Sequence, residues 1–388
     1  MQFPHFFIFS FVSLRSVTMA GIYVHIPFCK SRCIYCGFYS TTLLPRQDEY
    51  VDCLLRELQM RKGYLKGEKV STIYLGGGTP SLLTPANLSH LCSRLVEYAD
   101  NGIDEFTIEC NPDDVTPDFC ELLSKSGINR VSMGAQTFSD SRLSFLHRRH
   151  KASHISNAVH HLRNAGFKNI SIDLMFGFPG ETLNDWKYDI DKAMTLEVEH
   201  ISAYSLMYEE GTALFKLLES GKIQETDEDT SLKMYDLLIK SLTQAGYEHY
   251  EISNFAKPGY HSRHNSSYWH RIPYLGIGAG AHSYDISSRQ WNISDLNGYI
   301  QKLANGELAI DEIEVLDATE NYNDIITTAL RTKQGIDLTT LSAADCSYLM
   351  EAAKKGLSTG NIIIEDGHLH LTRKGLYISD SVMVDLIR

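Results

Sequence analysis

From residue 21 onward, short β-branched or aromatic runs alternate with helical stretches, and this alternation narrows the possible folds more than any other feature. The runs fall at 22–26, 72–75, 105–109, 130–133, 170–174 and 200–206. Helical stretches lie between them at 47–66, 85–98, 118–126, 153–165 and 184–195. Strands that alternate with helices predict a parallel sheet joined by crossover helices. Six such units predict an α/β fold of the TIM type, an open, partial (β/α)6 barrel rather than the closed eight-fold form. In that class, function collects at the C-terminal ends of the strands. Each of the first five predicted strands is followed at once by a loop of unusual composition: the cysteines at 29–36, then 76–80, 109–112, 134–136 and 177–180.

After residue 206 the pattern changes. A helix is expected at 227–245 and a strand at 247–252, whereas 254–283 is rich in Gly, Pro, His and aromatics with little periodicity. Further on, helices at 321–332 and 341–355 precede short strands at 362–365 and 368–371. Those strands meet at Asp366-Gly367, a hairpin signal. The end of the chain therefore reads as a small winged-helix-like α+β domain. The expected organisation is an extension at 1–18, a core at 19–250, a His- and aromatic-rich segment at 251–290, and a C-terminal domain at 291–388.

Residues 1–18 carry an apolar, aromatic stretch with no Lys or Arg before it, unlike a secretory signal. Met19 stands directly before the first strand, so 1–18 reads as an upstream extension, disordered or arising from a misassigned start. No apolar run approaches the ~20 residues of a membrane-spanning helix. The formal net charge of −12 argues against a broad nucleic-acid-binding face. Of the eight cysteines, Cys53, Cys92, Cys110, Cys120 and Cys346 are scattered, as expected of free thiols in a reducing, cytoplasmic setting.

The other three form Cys29-Lys-Ser-Arg-Cys33-Ile-Tyr-Cys36. Thiolates are the soft ligands that iron–sulfur clusters take. Spacing this short lets one loop wrap three corners of a cubane, leaving the fourth iron open to an amine and a carboxylate. Zinc is the alternative, but a structural zinc site wants four ligands, and His25 would have to be the fourth.

With its preceding strand, Tyr23-Val-His-Ile-Pro-Phe-Cys29-x3-Cys33-x2-Cys36 resembles the signature of the radical S-adenosylmethionine (SAM) family. The particular subgroup contains the oxygen-independent coproporphyrinogen III oxidases and haem chaperones related to them, and the resemblance spans nearly the whole chain from Gly21. It implies a [4Fe-4S] cluster on Cys29, Cys33 and Cys36, and SAM cleaved by one electron into methionine and a 5′-deoxyadenosyl radical. It also implies SAM contacts from Tyr23, from Gly77, Gly78 and Thr79 in the Gly-Gly-Gly-Thr-Pro loop, and from Glu109, Gln136, Arg148 and Asp173. Two departures stand out. Cys110 occupies a place where a small residue such as Ala is usual. His147 stands where the family has Gly, which makes Arg149 a rival to Arg148.

Within the subgroup two readings compete. The oxidase carries a further cysteine two residues after the third; here Cys36 is followed by Gly37 and Phe38. His264-Asn265-Ser266-Ser267-Tyr268-Trp269 resembles instead the His-Asn-x-x-Tyr-Trp motif of the chaperone branch. The chaperone is therefore the reading, without coproporphyrinogen oxidase activity. It implies that haem is bound, with His264 as ligand to the haem iron, Tyr268 and Trp269 as flat faces for the porphyrin, and His261, Arg263, His270 and Arg271 near its propionates. The alternative for this motif is a hydrogen-bonded, packed loop. The implied partners are haem, an electron donor and haem-accepting, membrane-bound respiratory proteins; no nucleic acid is implied.

Overall fold

The computed structural model describes residues 19–100 and 102–388. The extension expected at 1–18 lies outside the described residues. All six expected strands form: β1 (Met19–Ile26), β2 (Lys69–Gly77), β3 (Glu105–Cys110), β4 (Arg130–Gln136), β5 (Ile170–Phe176) and β6 (His200–Ser205). They lie side by side in chain order and run parallel.

The crossovers contain α1 (Gln47–Met60), α2 (Pro85–Tyr98), α3 (Pro117–Lys125), α4 (Asp140–Phe145), α5 (Ala152–Asn164) and α6 (Leu183–Thr195). Local sequence sets where several begin. Thr84, Thr116 and Thr182 accept the backbone N–H of Asn87, Phe119 and Asp185, and Pro85 and Pro117 open their helices. Ile22, Val24, Ile73, Leu75, Phe106, Ile108, Val131, Ile172 and Ile201 are fully buried and belong to one core with apolar residues of the helices. The alternate positions on the same strands are polar, and they surround a cavity lined by residues of β2 to β6 together with the cysteine loop that follows β1. The sheet is thus curled around that cavity, yet β1 does not pair with β6, so the barrel stays open.

After β6 come α7 (Ala213–Glu219), α8 (Glu228–Gln244), β7 (Glu248–Glu251) and β8 (Asn254–Ala256); β8 pairs antiparallel with β6. The stretch that lacked periodicity contains α9 (Arg263–Trp269), β9 (Tyr274–Ile277) and β10 (His282–Tyr284). Then follow β11 (Ser288–Asn292), α10 (Leu296–Ala304) and β12 (Ile310–Val315). Strand β9 pairs parallel with β1, and β10, β11 and β12 continue that edge, giving a sheet of 12 strands.

Here the structure corrects the expected boundary at 291. Residues 288–315 belong to the large sheet because α1 holds them there. The carboxylate of Glu57, fully buried on α1, accepts from the Gly278 N–H (2.9 Å), Asn292 Nδ2 (2.8 Å) and the Tyr299 hydroxyl (2.6 Å). Arg61 donates to the Gly276 carbonyl (3.1 Å) and Gln290 Oε1 (2.9 Å).

The C-terminal unit starts later, with α11 (Ala318–Ala329), β13 (Ile336–Asp337), α12 (Ala343–Ala352), β14 (Ile362–Glu365) and β15 (His368–Leu371). It has its own apolar core, which includes Tyr322, Ile326, Leu349, Ile362, Leu369 and Leu386. The β14–β15 hairpin turns at Asp366 and Gly367 with φ of 48° and 78°, the left-handed pair such a turn requires. Among the described residues no helix is long and apolar enough to cross a membrane.

Candidate functional site

The cavity in the barrel has a volume of about 660 Å3 and opens at the C-terminal ends of the strands. Cys29, Cys33, Cys36, Gly77, Gly78, Thr79, Glu109, Gln136, Arg148 and Asp173 all line it. Residues far apart in sequence are thus brought together around one cavity.

The cysteine loop is held by its backbone. Cys29 N–H donates to the Thr41 carbonyl (2.9 Å), and Ile34 is buried in a small apolar cluster with Leu146, Met175, Phe178, Leu206 and Leu214. Thr79 Oγ1 lies 3.6 Å from Cys29 Sγ, and Arg148 Nη1 donates to Cys33 Sγ at 3.5 Å. Burial pushes the Cys29 and Cys36 thiols up from their ordinary value.

Among the described residues no three His, Cys, Asp or Glu side chains gather for a single ion. A cubane asks for something different, three thiolates on one cavity, and Cys29, Cys33 and Cys36 all line this one. His25 does not join them. It is buried, its Nδ1 bonds the Tyr23 hydroxyl (3.0 Å) and its Nε2 the Tyr39 carbonyl (3.0 Å).

The glycine loop earns its composition sterically. Gly77 has φ +107°, and a Cβ there would meet the His25 ring at 2.4 Å. A Cβ on Gly78 would lie 2.7 Å from the Pro27 carbonyl carbon. Only glycines let this loop press against the end of β1, which brings Thr79 to Cys29.

Around the wall, Glu109 accepts from the Tyr74 hydroxyl (2.8 Å) and the Gly77 N–H (3.1 Å). Desolvation pushes its carboxyl up to about 7, although the Tyr74 hydrogen bond pulls the other way. Asp173 is likewise raised by burial, with Ser202 and Ser132 donating against that shift. Arg148 donates to the Gly134 carbonyl at 2.8 Å and to Asn111 Oδ1, and its buried Nε finds no protein acceptor. Arg149 is instead paired with Asp113 (2.9 Å) and Asp114 (2.8 Å), whereas Arg148 is bonded to no carboxylate. His147 explains the family's preference for Gly: it has φ +60°. Gln136 is also left-handed, at +65°, strain of the kind stored at functional sites.

Two expectations need correction. Tyr23 is not part of the wall; it stands behind Tyr74, with ring centroids 6.2 Å apart. The haem motif forms α9, which lies against the N-terminal ends of the strands. Glu105 at the start of β3 accepts the N–H of Arg263 and of His264, both at 2.9 Å. His264 is 1% exposed, with Nδ1 bonded to Thr72 Oγ1 and Nε2 to the Tyr268 hydroxyl, both at 2.9 Å. In this arrangement it offers no nitrogen to a haem iron. Trp269 turns away to the C-terminal unit, with the Arg331 guanidinium 5.3 Å from its ring centroid. The hydrogen-bonded, packed loop is the arrangement found, and of this motif only Asn265 reaches the cavity.

Sequence reasoning passed over Tyr74, Asn111, Ser132 and Ser202, all in the wall. Two of these carried a signal: Tyr74 and Ser132 stand two residues before Gly76 and Gly134, so strand alternation puts them on the same face, whereas Ser202 is placed by its pairing with Asp173.

Residues 23–193 match the model of the Radical SAM superfamily. The chain is 35% identical over 366 residues to the heme chaperone HemW of Lactococcus lactis, covering 93% of this chain and 95% of that protein. It is 37% identical over 268 residues to the heme chaperone HemW of Escherichia coli, covering 68% and 69%. Its fold is similar to that of the solved radical SAM enzyme coproporphyrinogen III oxidase (HemN) from Escherichia coli, with a TM-score of 0.82, 23% identity, and coverage of 95% of this chain and 90% of that one. With its cysteines, glycines and acids gathered at one barrel mouth, the chain belongs to the HemW family of radical SAM proteins.

Proposed function

We propose that this protein is a cytoplasmic haem chaperone that holds a [4Fe-4S] cluster and SAM in its barrel and delivers haem to respiratory haem proteins. The relatives named heme chaperone that align along nearly the whole chain support this reading. The observation that carries it over the oxidase is Phe38. It stands where the oxidase has a further cysteine, and it is 70% exposed at the cavity mouth. Met207 and Tyr204 line the same cavity, at 63% and 41% exposed, and Lys30 and Arg32 share its rim. A flat apolar macrocycle with two carboxylates is the kind of cargo such a mouth suits.

When bound, the cluster supplies an open iron site and one electron. Cys29, Cys33 and Cys36 hold it as thiolates. Thr79 and Arg148 steady Cys29 and Cys33 through their contacts with the sulfurs. Glu109 accepts an N–H of SAM, Arg148 meets a carboxylate, and Asp173 with Ser132 and Ser202 offers acceptors and donors for hydroxyls.

The test is anaerobic. Cluster-reconstituted protein is titrated with haem, then mixed with an apo haem protein, and the Soret band of the acceptor is followed. Transfer supports the reading. In parallel, coproporphyrinogen III, SAM and a strong reductant are supplied beside an authentic oxidase. Repeated loss of carboxyl groups, seen by mass spectrometry, would replace the chaperone with the oxidase.

A further inference from the structure

His264 is well placed for a task other than iron ligation. Its ring lies under that of Tyr74, with centroids 5.2 Å apart and planes 27° from parallel. Tyr23 stacks on Tyr74 as well, at 27°. Tyr74 therefore has little freedom, and its hydroxyl is aimed at Glu109 Oε1, 2.8 Å away.

The base of the stack is equally fixed. Thr72 and Tyr268 take the two ring nitrogens, and their hydroxyls can each donate or accept, so either neutral tautomer is satisfied. Burial, with the nearby Arg130 charge, holds the imidazole down at about 3, so it stays neutral. A Cβ on Gly21 would stand 3.1 Å from His264 Cε1, so the neighbouring strand leaves the ring no slack. His200 repeats the pattern in the same barrel: Ser171 Oγ on Nδ1 (2.8 Å) and the Tyr250 hydroxyl on Nε2 (2.7 Å). Two neutral histidines clasped between hydroxyls are built for holding shape.

We infer that His264 is a positioning residue of the SAM site: it fixes Tyr74 from below, and Tyr74 fixes Glu109. This rests on the reading that Glu109 accepts an N–H of SAM. The task of the haem-motif histidine is then to link α9 to the SAM wall.

The test uses full-length, cluster-reconstituted protein, with SAM affinity measured by calorimetry and haem binding by its Soret band. His264→Ala is expected to weaken SAM binding roughly tenfold, the size of one hydrogen bond, and to leave haem binding as it is in the wild type. Tyr74→Phe should weaken SAM binding similarly. Because His264 acts through the Tyr74 hydroxyl, the double variant should be no worse than Tyr74→Phe alone. His264→Phe, which keeps the stacked ring, should restore most of the affinity. If His264→Ala does not fold, His264→Leu, which removes the stacked ring but keeps apolar volume, takes its place in the same cycle with Tyr74→Phe, with the same outcomes expected. Loss of haem with SAM affinity unchanged, or additive losses in the double variant, overturns the inference. Wild-type protein that binds no SAM would instead remove the cofactor reading beneath it.

Discussion

The upper and lower halves of the barrel interior are made by the same strands, and both are polar, yet they do opposite things with their polar groups. In the upper half the side chains face a cavity and are left with capacity to spare: Glu109 is raised to about 7 by desolvation, Asp173 is raised too, and Arg148 Nε has no partner. In the lower half polar groups largely consume one another, as in Thr72–His264–Tyr268 and Ser171–His200–Tyr250, and Glu105 caps α9. Buried polar groups cost stability unless they are bonded. Unspent capacity marks where a ligand belongs, and spent capacity marks where the protein holds itself together. Arg130 is one exception below, with Thr107 Oγ1 another: Arg130 is 1% exposed, and its Nε and Nη1 find no protein acceptor.

The largest effect should come from the upper half. Replacing Cys33 with Ala is expected to reduce reconstituted iron and sulfide to background. Thermal unfolding of the cluster-free protein should scarcely move, because the loop is anchored by Ile34 and backbone bonds. A large fall in the melting temperature would mean that the thiols also hold the fold.

The lower half should answer in the opposite sense. Glu105 is buried, and Glu105→Ala strands the N–H groups of Arg263 and His264. About 3 kcal/mol of stability should be lost in denaturant titration, since each stranded buried donor costs on the order of 1–3 kcal/mol. Iron content after reconstitution should be retained. If stability is unchanged, α9 is not fastened by this carboxylate.

The two halves were unequally legible in the sequence. Strands β1 to β6 were readable because an apolar outer face alternates with a polar inner one, and the β14–β15 hairpin because Asp366-Gly367 is a two-residue turn. The cysteines, the glycine loop, Glu109 and Gln136 were readable because they stand at or just after strand ends, whereas Tyr74, Ser132 and Ser202, inside the strands, were passed over. The edge from β9 to β12 was not, since strands of three to six residues gain their stability from distant partners such as Glu57 and Arg61. For the same reason the boundary at 291 was misplaced. The sequence names His264 but not its direction, which depends on where Thr72 and Tyr268 stand.

Acidity separates the halves further. The Glu109 carboxyl sits at about 7 in the folded chain, above its ordinary 4.5. The fold favours the protonated form, so its contribution to stability is full below 4.5 and is lost as pH rises through about 7. As an acceptor of a ligand N–H it must be ionised, so SAM binding should tighten as pH rises, by up to tenfold per unit below about 7, then level off. Glu109→Gln should flatten that rise. A wild-type profile that matches the variant's would show that this carboxyl does not govern binding. His264, already neutral, should add no step of its own in this range.

The smallest effect should fall where α9 meets the C-terminal unit. Trp269 lies under the Arg331 guanidinium, and Arg271 reaches across to Asn321. Its indole Nε1 is buried without a protein acceptor, so the ring contributes through packing and the cation above it rather than through a hydrogen bond. A cation–π contact of this kind is worth about 0.5–2 kcal/mol, and Trp269→Leu, which keeps apolar volume, should cost about 1 kcal/mol in global stability. SAM affinity should not change, because Trp269 points away from Tyr74 and the cavity. Proteolysis is the sharper readout: if α9 joins the two units, cleavage between 316 and 321 should quicken in the variant. Equal cleavage rates would mean that the C-terminal unit is held by Arg271 and the Thr332–Glu251 bridge instead.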